Sequence, residues 1–169
     1  MKWAFFLCGL LAVGSTHATE PSNALIYSCM SAIGLSQSIH ATRIATTESM
    51  DDDTYKPGYN ATFFRYNEKD IGYAQSTKSN ALIYDGVLYQ TGAAIRLLAR
   101  KDAPVGINPN LATWLVLREG KDRFLCVSDN LDGLGRSGSN QNVRYAYLLS
   151  LSAPRRLYFA LDDIRHYKK

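Results

Sequence analysis

Gly133-Leu134-Gly135-Arg136-Ser137-Gly138 fits G-x-G-x-x-G, the spacing with which a glycine-rich turn brings backbone amides up to a pyrophosphate. That chemistry needs a helix to open directly after the turn, because its aligned N-terminal amides hold the phosphate. The residues that follow, Asn140 to Leu151, alternate in the manner of a strand, so a nucleotide site is not expected. Read from Ser128, the same stretch sets Asn130, Asp132 and Gly133 at the third, fifth and sixth positions of a calcium loop. Ser128 and Ser139 then stand where its two most important carboxylates belong. Asp51-Asp52-Asp53 lacks the spaced oxygen ligands and the glycine of such a loop and reads as a solvated acidic turn. After the first eighteen residues the imidazoles are His40 and His166. No G-x-S-x-G elbow exists, neither histidine has a carboxylate that its spacing presents, and Asp162-Asp163 alternate across a strand end. These residues imply no cofactor and no metal. An enzyme assembled from distant carboxylates or from His40 stays open as the alternative.

Tyrosine is the unusual residue. There are eleven, with arginines interleaved at Arg65/Tyr66, Arg144/Tyr145 and Arg155-Arg156/Tyr158. Tyr and Arg are enriched where a surface binds a partner, because each joins a large contact area to a polar end. Asp129 to Asn142 has three glycines and almost no apolar content, which makes it a long polar loop able to enter a partner's cleft. The candidate binding residues are therefore Arg136, Ser137, Ser139, Asn140, Arg144, Tyr145, Tyr147 and Tyr158. Ordinary sheet composition is the competing explanation, since Tyr is itself a strong strand former.

The compartment follows from the first eighteen residues, MKWAFFLCGLLAVGSTHA. Lys2, an apolar run from Trp3 to Val13 and Thr16-His17-Ala18 make a secretory signal with cleavage expected after Ala18. The run is too short to span a bilayer, so no membrane insertion is expected after cleavage. The formal net charge is +4, of which Lys2 supplies one, a mild excess that does not suggest nucleic-acid binding. What remains, about 150 residues, suits a single domain from 19 to 169. Of three cysteines Cys8 leaves with the signal, and Cys29 and Cys126 read as one disulfide in an oxidising periplasm or secreted space.

The elements can be argued in turn. Ser22 to Ile33 repeats its apolar residues on one helical face, with Gly34 placed as a C-cap, although Ala24 to Cys29 is also a compact strand-like run. Ser36 to Thr47 favours a strand, and Met50 to Asn60, with its Pro-Gly, reads as a loop. Strands at 59–66 and 71–77 flank a four-residue turn, and Asp85-Gly86 is the strongest hairpin signal in the chain. Asn60-Ala61-Thr62 is a glycosylation sequon, meaningful only in a eukaryotic source. Gly92 to Lys101 favours a short helix, with a strand as the competing form. Asn110 to Ser128 forms a central hairpin that buries Trp114, Val116, Phe124 and Cys126 together, and Val143 to Leu161 forms a second. The tail from Asp162 is expected to fray.

The sum is an α+β, mostly antiparallel β-rich domain with one or two short helices and one disulfide. In general plan it resembles small bacterial periplasmic inhibitors of lysozymes and immunity proteins against cell-wall hydrolases. The Ser-Gly-x-x-Tyr loop of some such inhibitors is not reproduced, since Gln141 stands in the tyrosine's place after Ser137-Gly138. That plan implies an exported module that binds, and in doing so inhibits, a partner protein. The alternative is an exported enzyme or toxin acting on envelope polymers.

Overall fold

The computed structural model describes residues 19–98, 104, 106–130 and 142–168. They form a helix, α1 (Asn23–Ser31), and the strands β1 (Ile39–Arg43), β2 (Met50–Lys56), β3 (Tyr59–Tyr66), β4 (Lys69–Gln75), β5 (Asn80–Tyr84), β6 (Val87–Gln90), β7 (Ile95–Arg96), β8 (Thr113–Glu119), β9 (Asp122–Asn130), β10 (Val143–Ser150) and β11 (Leu157–Asp163). Six strands make one sheet in the order β1-β8-β9-β10-β11-β7, and five make another in the order β2-β3-β4-β5-β6. All pairings are antiparallel except β7 with β11, so the expected α+β, mostly antiparallel class holds.

The six-stranded sheet is covered on both faces. Trp114, Val116, Leu125, Val127, Tyr145 and Tyr147 pack with Phe64, Ile71, Tyr73, Leu82 and Tyr84 of the five-stranded sheet. Leu115, Leu117, Phe124, Cys126, Ala146 and Leu148 turn the other way and meet Leu25, Ile26, Cys29 and Met30 of α1. Strand alternation dictates this split. It corrects the expectation that Trp114, Val116, Phe124 and Cys126 share one side: Trp114 and Val116 face the second sheet, while Phe124 and Cys126 face the helix.

Helix α1 is fixed at each end. Ser22 caps it by accepting the Leu25 amide at 3.1 Å, and its hydroxyl is also bonded to Glu119 at the end of β8. Near the other end the Ser128 hydroxyl donates to the Cys29 carbonyl at 2.9 Å, and Cys29 is bonded to Cys126 through sulfur. The C-cap is Ala32 at φ 59°, not Gly34, so the chain leaves the helix early and Ile33 is turned out to 57% exposure. Gly34 serves a different need: a Cβ there would lie 2.5 Å from the Ile39 carbonyl oxygen.

Three local expectations are overturned. Met50 to Asn60 is a hairpin rather than a loop, with β2 and β3 joined at Pro57-Gly58, where Gly58 has φ +79°. The turn after β3 is two residues, Asn67 and Glu68, both at positive φ, because β4 begins at Lys69. Thr91–Ala93 is a single 3₁₀ turn followed by β7, not a helix; the Leu97 amide then donates to the Phe159 carbonyl at 2.8 Å, so the sheet edge satisfies a group that a helix would have used. Among the described residues, no helix is long and apolar enough to cross a membrane.

The covalent tie closes a loop of 97 residues between α1 and β9. In the chain-entropy account such a loop stabilises by about 4.7 kcal/mol, and loss of a native disulfide from a small secreted domain costs about 2–5 kcal/mol. A Cys29→Ala/Cys126→Ala variant is expected to lose about 2–4 kcal/mol in urea unfolding. Intact-mass analysis without reductant should find neither thiol alkylated; two alkylated thiols would remove the bond.

Candidate functional site

The tyrosines proposed for a binding surface lie inside. Tyr145, Tyr147 and Tyr158 are 4%, 0% and 2% exposed, because β10 and β11 are interior strands of a sheet covered on both faces. Tyr147 packs between Tyr145 and Phe159, at 6.3 and 5.0 Å between ring centres. These three are packing residues, and no partner can reach their rings in this fold. Arg144 is half-buried, in register with Asp162, and its Nε has no hydrogen-bond partner. Arg136, Ser137, Ser139 and Asn140 lie outside the described residues. The tyrosine and arginine pairing does occur, but between layers: Arg155 lies 4.9 Å over the Tyr84 ring and donates to the Tyr89 hydroxyl at 3.2 Å.

Among the described residues, nothing lies over the outer face of the five-stranded sheet. Turned away from the core it carries Ala61, Ala74 and Ile83 with Tyr55, Tyr59, Phe63 and Leu88 packed around them. The alanines and Ile83 are at most 4% exposed although they sit on an outer face, so the larger side chains shade them. Phe63 lies opposite Gly72, where a Cβ would come within 2.7 Å of the Phe63 Cβ. Glycine thus lets the Phe63 side of the furrow settle onto the sheet. Tyr55 stacks tilted on Phe63 at 5.0 Å, and Met50 at the edge is 41% exposed. Tyr59 ends the furrow in a polar knot, its hydroxyl bonded to Ser79 at 2.7 Å and to the Gln90 amide nitrogen at 3.0 Å. A flat, shaded aromatic face of this kind is what protein partners use as an anchor.

At one margin of the same sheet lies a polar cleft of about 500 Å³. Its walls are Asp51, Asp53, Asn60, Thr62, Tyr73 and Gln75 from β2 to β4, and Ile107 to Asn110 from the segment before β8. That segment is braced: the Asn108 carbonyl accepts the amides of Leu111 and Ala112, and Trp114 Nε1 donates to the Pro109 carbonyl at 2.9 Å. The Tyr145 hydroxyl donates to the Gly106 carbonyl at 2.9 Å, so a residue first read as a binding contact instead holds the backbone beside this wall. Burial, with the Asp129 charge, raises the Tyr145 phenol well above its ordinary range. Asp51 accepts the Thr62 hydroxyl at 2.7 Å and Asp52 accepts Thr54, so the acidic run is ordered along a strand. Two residues apart on β2, Asp51 and Asp53 both reach the cleft, a relation hidden when the segment is read as a loop. Among the described residues, no three of His, Cys, Asp or Glu are grouped to hold a metal ion.

His40 stands exposed on the edge strand β1. His166, by contrast, has the carboxylate that its spacing did not promise. A 3₁₀ turn at Ile164–His166 brings its Nδ1 to 2.8 Å from Asp162 Oδ1, and the Tyr27 hydroxyl donates to the other Asp162 oxygen. Tyr167 packs on Tyr27 at 5.2 Å, so the tail is docked on α1 rather than frayed. Burial works to raise the Asp162 carboxyl, but the hydrogen bonds from Tyr27 and His166 outweigh it and leave it below the usual range. A depressed carboxyl gives stability that is present above its unfolded value and lost as pH falls through its folded value. Acidification through the carboxylate range should therefore loosen the tail. The protection factor of the Ile164 amide, which donates to the Asn142 carbonyl at 3.0 Å, is expected to fall there once the intrinsic slowing of exchange in acid is divided out. Asp162→Asn should exchange faster already at neutral pH and melt about 1 kcal/mol less stable; parent-like exchange at both pH values would refute the docking role.

The chain matches no protein family, no curated protein and no solved structure, so the meaning of these features rests on their own geometry.

Proposed function

We propose that this chain is an exported binding module that engages a partner protein in the periplasm or secreted space through the outer face of its five-stranded sheet. The carrying observation is the furrow of Tyr55, Phe63, Tyr59 and Leu88 over shaded alanines, which nothing among the described residues covers. These side chains are partly buried on one another, and covering the area they still expose against a partner is worth about 25 cal/mol per Å². The leader-like first eighteen residues and the disulfide support the compartment, since such bonds persist where the medium is oxidising. A cell-wall hydrolase held inactive by this contact fits the general plan of the chain. The sequence alone pointed to the arginine, serine and tyrosine residues at 136–158 for this role; the burial of Tyr145, Tyr147 and Tyr158 moves the proposed contact to the other sheet.

A second reading, an exported enzyme or toxin acting on envelope polymers, draws support from the Asp162–His166 pair. A carboxylate on Nδ1 fixes the tautomer and leaves Nε2 of a 67% exposed side chain able to act as a base.

The test is direct. The mature chain is immobilised, exported proteins are captured, and a captured protein is titrated against variants. Tyr55→Ser/Leu88→Ser is expected to raise Kd at least about 10-fold, or ~1.4 kcal/mol, while Ile33→Ser on the opposite layer leaves it unchanged. Equal affinity of the face variant would remove this face from the site. Turnover of a wall polymer that His166→Ala abolishes, with no protein captured, would install the enzyme reading instead.

A further inference from the structure

We infer that the polar cleft at the margin of the five-stranded sheet is a binding site for a short glycan segment without negative charge. It is a different surface from the aromatic face and does not depend on the partner-binding reading.

The first ground is the chemistry of the walls. Asn60, Gln75, Asn108 and Asn110 each offer a carboxamide that both donates and accepts, Thr62 adds a hydroxyl, and Asp51 and Asp53 add acceptors. Ring hydroxyls of a sugar also both donate and accept, in adjacent pairs, so this mixture answers them group for group. Among the described lining residues there is no Lys or Arg, and two carboxylates repel an anionic ligand. Half-buried Pro109 is the lining residue that can offer apolar contact to the C–H face of a sugar, over the enclosed Ile107 and Tyr73 beneath it.

The second ground is Tyr73. Its side chain is 1% exposed and lines the cleft, yet its hydroxyl has no hydrogen-bond partner. Burial raises the Tyr73 phenol, and the Ile107 backbone, itself part of the wall, works against that without overcoming it. A buried hydroxyl without a partner is rare in folded proteins and destabilising, and phenylalanine would fill the same volume without the penalty. A polar ligand, or the water it orders, completes that group.

The volume is also suited. About 500 Å³ falls within the range of small-ligand sites and exceeds the needs of a single ion.

The test titrates the disulfide-bonded mature chain with three uncharged trisaccharides, tri-N-acetylchitotriose, maltotriose and cellotriose, and with anionic sialyllactose, read by calorimetry and ligand-observed NMR. At least one uncharged trisaccharide should bind saturably and sialyllactose should not. Asp53→Asn, an exposed position, and Tyr73→Phe should each weaken binding about 5-fold or more, ~1 kcal/mol. Tyr73→Phe should do so with an unchanged or higher melting temperature, a combination that a purely structural role for the hydroxyl does not produce. Absence of saturable binding to all three uncharged sugars, or binding indifferent to both substitutions, overturns the inference. So does saturable binding of Ca²⁺ alone that Asp53→Asn abolishes, which would assign the cleft to a cation.

Discussion

Because the middle of the β8–β9 hairpin and its neighbour β10 have no solvent side, every residue of 114–117 and 124–127 must satisfy one of two layers. The register shows how: Trp114 pairs with Val127 and Val116 with Leu125 toward the second sheet, while Leu115 pairs with Cys126 and Leu117 with Phe124 toward the helix. Removing either cover would expose a full row of large apolar side chains, at roughly 1.5–3 kcal/mol for each one fully exposed. The helix is short and could not hold its position by propensity alone. Its place is set by the Ser22 and Ser128 hydrogen bonds and by the covalent link from Cys29, all directed at the central hairpin.

Double burial also decides what the tyrosines do. On a sheet with one wet face, alternating Tyr145 and Tyr147 would offer rings to solvent on a single side. Here that side meets Tyr73 and Tyr84 of the other sheet, so the rings become core and their hydroxyls must find partners within it. Tyr145 finds the Gly106 carbonyl and Tyr73 finds none. The five-stranded sheet is under a looser constraint, since only Phe64, Ile71, Tyr73, Leu82, Tyr84 and their neighbours are committed to the interface. Its edge strand β2 is acidic and interrupted by a bulge between Asp52 and Lys56, two features that discourage pairing with a foreign strand.

What the sequence made legible were the features set by local chemistry or by a single covalent choice. Asp85-Gly86 demands positive φ at both positions and has it, at 56° and 73°, and the two cysteines beyond the first eighteen residues have one way to pair with each other. The helix at Asn23–Ser31 could be read from its face, but not its end, because Ala32 took the left-handed position that Gly34 was expected to fill. In Gly92 to Lys101, whose last three residues lie outside the described ones, the competing strand form holds at Ile95–Arg96, because helix propensity is worth tenths of a kcal/mol per residue while pairing beside β11 satisfies whole backbone groups. The candidate site was the least legible. Asp51 and Asp53 share a face only once Met50–Lys56 is a strand, and Asp162 meets His166 only through a 3₁₀ turn that no periodicity announces.

A physical asymmetry separates residues that the fold requires from residues that it merely tolerates. Phe124, Tyr147 and Leu148 are fully enclosed, and polar replacement of any of them would leave an unmatched group in a dry interior. Tyr55 and Leu88 are only partly covered, so serine at either position would lose little folding energy. Tyr73 is the opposite case, enclosed yet carrying a hydroxyl for which the core supplies no geometrically sound partner. Neither the outward aromatic side chains nor the enclosed orphan hydroxyl follows from the demands of the core. Both belong to the five-stranded sheet, one on its open face and one at its open margin, and that sheet has surface to spare where the central strands of the other, β8 to β11, are covered on both sides.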